Sequence, residues 1–520
     1  MNKITFFVFA LVLCLADAGA GHAAPASGML PWKAWTEHLG QQGYGVSQGG
    51  VWLVDNAACS EIEAVFQSCF ANNPAAPYIL PEPPIDGTFV DPHYASTFTK
   101  PGTTGEPSNP FFRLANSDAL VVLVKLPPQA AYLGYQTYLF TRAVSAYGTT
   151  VSPKLAPLQV VSPDTSRYEI FGSLGNDINN VVVENRLGSV WNNGVAVYIT
   201  TSNRALAQAL VADAKAQGFD EKRIFVEPVG KNVMTGTGPK ADDLVSLFRY
   251  ALPQSQADND AWLKAVSENV VVYRVSASAH ARVERFATPL YTKKGTTSEE
   301  AYAHAMQELT NVLSQWLTAQ QGQPPTVKTM IRSLVLGKTG KLRGFVGKSC
   351  IAQGFNCLGD NEDTDSYRIG GIGTLGANDV AIMTGINHTL LDNAAYISVG
   401  IYNAADQAGV AGASQTDPAA VGFDSGTLTG SAEGVLKSLG LYDSVSSSLK
   451  AQLPYLYTVL MARTCKLAPP YCVQITYKEV PLATKISVFQ RGYIKPGTTT
   501  GANPNVIPSP QLIFRTPPPQ

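Results

Sequence analysis

Histidine is scarce in this 520-residue chain, with six residues in all, so a histidine-based metal centre or proton relay has little to be built from. There is no HExxH pairing and no CxxC spacing, which removes the common zinc frameworks. Charge is also low: 15% of residues are charged and the formal net charge is −1. No basic field exists to hold nucleic acid or anionic lipid, so no nucleic-acid partner is expected. Beyond the first residues there is no apolar run of the roughly 20 residues a membrane-spanning helix needs. No period of the solenoid or propeller kind recurs.

What the chain does have begins at its start. Met1-Asn2-Lys3 leads into an apolar run from Ile4 to Ala16, and small residues follow from Ala18 to Ala24. A short basic start, a short apolar segment and small residues describe a cleavable signal peptide over residues 1–23. Cys14 falls inside the apolar run, and Leu13 before it does not suit a lipoprotein site. The mature chain is therefore expected in the periplasm or outside the cell, without a transmembrane anchor after cleavage. At 45% hydrophobic residues it has enough apolar material for a sizeable core.

Cysteine supports export independently. Six of the seven cysteines lie beyond the leader, in three close pairs: Cys59/Cys69, Cys350/Cys357 and Cys465/Cys472. Six cysteines allow 15 pairings, and the local one is the simplest. Each short loop so closed contributes roughly 2.5 kcal/mol by restricting the unfolded chain. An oxidising compartment is where such bridges persist.

The pattern along the chain predicts an α/β fold, with a central mixed sheet containing a βαβ unit and a β-rich C-terminal part. Residues 24–117 are rich in turn-forming Pro and Gly and read as an N-terminal proline-rich subdomain or arm, with a helix near Ser60–Phe70. Residues 118–325 read as an α/β domain. Ala119–Val124 is a buried strand by its continuous β-branched character, and Tyr132–Arg142 is an aromatic-rich one. Val195–Thr200, a helix through Leu206, Leu210 and Ala214, and Arg223–Val226 form strand, helix, strand with short links; Thr201 or Ser202 would cap the helix. Asp242–Ala251 reads as helical. A long helix is expected over Ser298–Gln320, with Thr297 and Glu300 at capping-box spacing. Residues 326–495 form a β-rich α+β domain. Its strands are Val380–Ile386, Tyr396–Ile401, Leu456–Ala462, Val473–Tyr477 and Ile486–Gln490, with a helix at Ala432–Leu439. The proline-rich tail, 496–520, should run extended along the surface.

Four groups of residues carry candidate chemistry. Gly371-Ile372-Gly373-Thr374-Leu375-Gly376 matches a dinucleotide fingerprint by letters, but it runs into a strand instead of a helix and reads as a glycine-rich turn. Phe171-Gly172-Ser173-Leu174-Gly175 comes close to a nucleophile elbow, with Phe171 where the first glycine belongs; Ser173 is the nucleophile it would supply, and the bland account is a tight turn. Asp360, Glu362, Asp363 and Asp365 crowd one loop behind Cys350/Cys357. They would hold a divalent cation such as calcium through Asp360, Asp363 and Asp365, do acid–base work, or form a solvated turn. His388 follows a strand beside Asn387, where polar side chains can meet a cleft, and is the candidate general base. On the strand face of Tyr138, Arg142 stands beside aromatics, as Arg113 does after Phe111-Phe112; either would hold an anionic group or else be ion-paired within the fold.

Together these point to an exported hydrolase acting on a small molecule or envelope component with an anionic group. His388, Asp360, Asp363 and Ser173 would be catalytic, and Arg113, Tyr138, Arg142 and Asn387 would bind the substrate. The alternative is a non-catalytic periplasmic or secreted ligand-binding protein.

Overall fold

In the computed structural model, the Asp118–Lys125 strand is buried on both faces, and this orders the N-terminal half. Because strand side chains alternate, Ala119, Val121 and Leu123 face one cluster with Trp32, Trp35, Leu206 and Leu210. Leu120, Val122 and Val124 face a second cluster with Leu133, Tyr135 and Leu139. Each fully buried Val or Leu contributes about 1.5–3 kcal/mol. The structure describes residues 31–515 except 56–57, 71, 74–76, 86–91, 148–158, 164, 176, 189–190, 192–193, 279–281, 293–296, 333, 337–341, 345–346, 358, 362, 365–367, 407, 411–422 and 467–469. The leader expected over residues 1–23 lies outside them.

The first sheet has five strands in the order Gly45–Gln48, Val270–Ser276, Asp118–Lys125, Val195–Thr201, Ile224–Pro228. Its last pair is parallel and is joined by the helix Arg204–Ala216, the βαβ unit read from the sequence. The cap is Asn203, not Thr201 or Ser202: its Oδ1 accepts from the amide of Ala205 at 3.1 Å. Against this sheet packs an eight-stranded one built on the Ala130–Ala143 and Asp243–Pro253 strands. Residues 31–117 give strands to both sheets: Gly45–Gln48 to the first, Gly50–Val54 and Tyr78–Glu82 to the second.

The segment expected as a helix at Asp242–Ala251 is thus a strand. It is buried on both sides along most of its length, so no alternation marked it, and pairing with Ala130–Ala143 decides its conformation.

The C-terminal half stacks two five-stranded sheets over one core, with the helices Ala303–Gln321 and Ser431–Ser438 against the outer face of the first. Strands Val380–Ile386 and Leu456–Ala462 fall where the sequence placed them. Three further expectations are corrected. The tail is not only surface chain: Gln511–Phe514 is a strand between Thr326–Thr329 and Val380–Ile386, with Leu512 and Ile513 fully buried. The glycine-rich stretch after Arg368 is a strand with a bulge between Gly371 and Gly373, where Gly373 takes a left-handed φ of 90°. The capping box does not form: a 3₁₀ turn, Glu300–Tyr302, precedes the long helix, and the Ser298 hydroxyl accepts from the Glu300 amide.

All three local bridges are present: Cys59–Cys69, Cys350–Cys357 and Cys465–Cys472. The second lies on the segment that joins the halves. There Cys357 and Gly359 donate amide bonds to the carbonyls of Ile170 and Phe171 in the Arg167–Ser173 strand. Among the described residues no helix is long and apolar enough to cross a membrane.

Candidate functional site

On the outer face of the eight-stranded sheet, alternation lines up Val245, Leu247 and Arg249 on one strand. Phe140 flanks them from the neighbouring strand. The helix Cys59–Phe66 covers part of this face through Ile62 and Phe66. What it leaves is a partly enclosed cleft of about 60 Å³ walled by Trp52, Phe70, Tyr78, Phe111, Phe140 and Phe171. Since one water needs about 10–15 Å³, the enclosed part has room for about four to six water-sized centres; it takes a short aliphatic chain, or a ring that enters in part and leaves the rest at the open side.

The rings brace one another. Phe111 stacks on Phe140 at 4.4 Å between centroids, and Phe70 meets Phe140 and Phe171 edge-on at 5.6 and 5.5 Å. Polarity enters at Arg249 and Asn72. The guanidinium of Arg249 lies over the rings of Tyr138 and Tyr78, 5.3 and 5.8 Å from their centroids, and donates to the carbonyl of Gly359 at 3.2 Å. Two of the wall residues hold backbone conformations that L-residues avoid: Phe70 has φ 52° and Phe171 φ 36°.

Behind the Arg249 wall lie the acidic residues singled out from the sequence. Asp360 is fully engaged: one oxygen accepts the Ser173 amide at 2.7 Å, the other the Ser173 hydroxyl at 2.8 Å and the Gly347 amide at 2.6 Å. The fold therefore brings Ser173 and Asp360 together, with both buried. Asp363 accepts from the Tyr132 hydroxyl at 3.3 Å and from Asn179 at 3.4 Å. Asp177 lies close to it, and among the described residues nothing donates to either of its oxygens. Burial, reinforced by the Asp363 charge, pushes the Asp177 carboxyl well above the usual carboxylate range. The loop is thus no solvated turn at Asp360 or Asp363. Asp365 and Glu362 lie outside the described residues. Asp360 is met by N–H and O–H donors, which is hydrogen-bond satisfaction and not the set of oxygen ligands that calcium takes. One other group, Cys59, Glu63 and Cys69, places its ligand atoms within 4.8 Å of one another. Its two sulfurs are bonded to each other, which removes them as metal ligands in this state.

His388 is elsewhere in polar terms. Its Nδ1 is 2.7 Å from Glu299 and its Nε2 is 2.8 Å from the Gln490 amide nitrogen, all within the interior. Gln490 accepts from Tyr457 through its oxygen, so its NH₂ points at the imidazole. An amide nitrogen only donates; Nε2 is then the acceptor and Nδ1–H donates to Glu299. Both ring nitrogens are spent on joining the Val380–Ile386 strand end, the residue that precedes the 3₁₀ turn before the long helix, and the Lys485–Tyr493 strand. Asn387 caps the 3₁₀ turn His388–Leu391, accepting from the Thr389 amide at 3.2 Å and donating to Thr429 at 3.1 Å.

Arg113 and Arg142 stand in ion pairs. Arg113 meets Asp243 at 2.7 Å, and Arg167 meets the same carboxylate at 3.0 Å. Arg142 meets Asp242 at 2.5 Å and donates to the carbonyls of Asn232 and Ile351. Tyr138 lies under Arg249 and against Phe171, 5.1 Å between centroids, next to the cleft. The aromatic face read from the sequence is therefore the site's floor, but its arginine is Arg249 on the adjacent strand. That residue was hidden by the helical reading of its segment; a strand reading would have aligned it with Val245 and Leu247.

No protein-family model matches the chain, and no curated protein matches it. A solved structure, that of an uncharacterized protein from Burkholderia cenocepacia, aligns with 85% of this chain and 78% of its own. It is 9% identical, and its TM-score of 0.34 is too low to support any argument about fold or function.

Proposed function

We propose that this is an exported ligand-binding protein whose aromatic cleft takes a compact apolar ligand, a single ring or short chain with an anionic or hydrogen-bond-accepting head directed at Arg249. The observation that carries this reading is the cleft itself: six aromatic walls around open volume, with an arginine at one side. Binding sites for small molecules are commonly apolar hollows with few polar groups that set orientation. Export to the periplasm or beyond is supported by three local bridges and by the leader-like start of the sequence. Hydrolysis with His388 as base is the weaker reading, because His388 is committed to Glu299 and Gln490 while Ser173 is committed to Asp360.

The test uses 4-fluorophenylacetate and 4-fluorotoluene, observed by ¹⁹F NMR line broadening in the presence of the purified protein. Both should bind, the acid more tightly. Val245→Phe places a ring in the cleft; it should abolish binding while the protein stays folded, at a cost no larger than the ~1–3 kcal/mol of a larger side chain in a packed wall, read by denaturant unfolding. Equal broadening by Val245→Phe and wild type, or none with wild type at millimolar probe, would refute the reading.

A further inference from the structure

The cleft's covering loop is held in an unfavourable backbone shape, and a disulfide closes that loop. Gln67, at the end of the Cys59–Phe66 helix, has φ 53°, and Phe70 has φ 52°. Neither is glycine, and a left-handed conformation is unfavourable for such residues. Between them sits Cys69, a wall residue of the cleft and 3% exposed, bonded to Cys59 ten residues back. Other ties on this loop are hydrogen bonds: the Gln67 amide to the Glu63 carbonyl at 2.8 Å, the Cys69 amide to the Asp406 carbonyl at 2.7 Å, the Asn72 amide to the Cys69 carbonyl at 3.1 Å and the Phe70 amide to the Ser68 hydroxyl at 3.0 Å. Closing a loop of this size with a bridge favours the folded shape by restricting the open chain. The bridge therefore offsets a backbone cost that the loop's hydrogen bonds and the Phe70 ring contacts would otherwise carry alone. The ring of Phe70, one residue beyond, then meets Phe66, Phe140 and Phe171.

We propose that the Cys59–Cys69 bridge is a redox gate on the cleft: the loop presents Phe70 as a wall, and the cleft binds, only when the bridge is closed. The inference rests on the ligand-binding reading above. Closing the gate is thiol–disulfide exchange. The two thiols form one S–S bond, two electrons and two protons pass to the disulfide of an exchange partner, and that partner leaves as a dithiol. A chain still reduced would have no formed cleft, so binding competence follows oxidation.

Thermodynamic linkage tests this on the wild-type chain. A ligand that binds only the closed form must make that bridge harder to reduce. The protein is equilibrated in graded dithiothreitol ratios with and without 4-fluorophenylacetate at ten times its Kd, and each cysteine pair is quantified by alkylation and peptide mass spectrometry. The reduced-to-oxidised ratio of Cys59/Cys69 should fall about tenfold, and that of Cys465/Cys472 should not move. No shift at Cys59/Cys69, or an equal shift at all three bridges, overturns the gate. A second arm is the Cys59→Ser/Cys69→Ser double variant, which should bind at least tenfold more weakly; adding Gln67→Gly, which accepts positive φ without penalty, should restore part of the loss. Wild-type strength in the double variant would also overturn it. Absence of binding by the oxidised wild type would instead defeat the ligand-binding reading.

Discussion

Glu169 offers a quantitative test of how the fold handles buried charge. It lies in the Arg167–Ser173 strand, 3% exposed, with the Asn356 amide at 3.3 Å. Burial pushes its carboxyl from 4.5 up to about 8, and the Asn356 bond offsets only part of that. In the unfolded chain the group loses its proton near pH 4.5; in the folded chain it keeps it to about pH 8. The native state therefore holds the extra proton across this window, and stability falls as pH rises through it. One proton corresponds to a slope of about 1.4 kcal/mol per pH unit, and 3.5 units give a ceiling of about 5 kcal/mol by pH 8. Glu169→Gln replaces the acid with a neutral group of the same shape. Urea denaturation of both proteins, bridges intact, at intervals from pH 5 to 8 should show the variant gaining on wild type by about 1 kcal/mol per pH unit. The slope is the readout, because a fixed cost of burying the Gln amide shifts all points equally. Glu82, pushed to about 7, tilts both curves alike and cancels in the difference. Parallel curves, within about 0.3 kcal/mol per pH unit, would show that Glu169 does not titrate in this range.

Two further outcomes follow from the same structure. Asp243→Asn leaves Arg113 and Arg167 buried without their shared carboxylate; it should cost about 3–5 kcal/mol in denaturant unfolding, and a loss below 1 kcal/mol would contradict the pairing. Gly347→Ala would set a Cβ 2.2 Å from the Ser173 carbonyl oxygen and 2.5 Å from its nitrogen, both backbone atoms. The segment around Cys350–Cys357 should then lift from the Arg167–Ser173 strand, seen as faster hydrogen exchange at the Ser173, Cys357 and Gly359 amides; unchanged protection would count against that docking.

Much of the architecture was legible because its signals are local. The βαβ unit declares itself through a β-branched run, a helical stripe at Leu206, Leu210 and Ala214, and a stop at Gly218 with φ 90°. Cysteine spacing gave the three bridges. Signals failed where both faces of an element are buried or where composition overrode a short run. Asp243–Pro253 has no polar face to betray a period of two, and Gln511–Phe514 is four residues among prolines. The site suffered most from the first failure. Tyr138 and the aromatic face were visible, yet Arg249 sits on the segment read as a helix. The covering loop was also out of reach, since no residue type at Gln67 or Phe70 announces a positive φ.

The arginines expected to hold a ligand do bear on the site, though at one remove. Asp243 begins the strand that carries Val245, Leu247 and Arg249, and Asp242 immediately precedes it. Arg142 fixes Asp242, while Arg113 and Arg167 converge on Asp243. The same guanidiniums reach the carbonyls of Asn232, Thr237 and Pro239 in the loop leading into that strand. Buried pairs of this kind add little net stability over apolar packing, because desolvation consumes most of their attraction. What they do impose is register: a slip of one residue would strip both aspartates from their partners and turn Arg249 away from the cleft. The charged residues that chemistry first suggested as the site's hands instead hold in place the strand on which its one arginine stands.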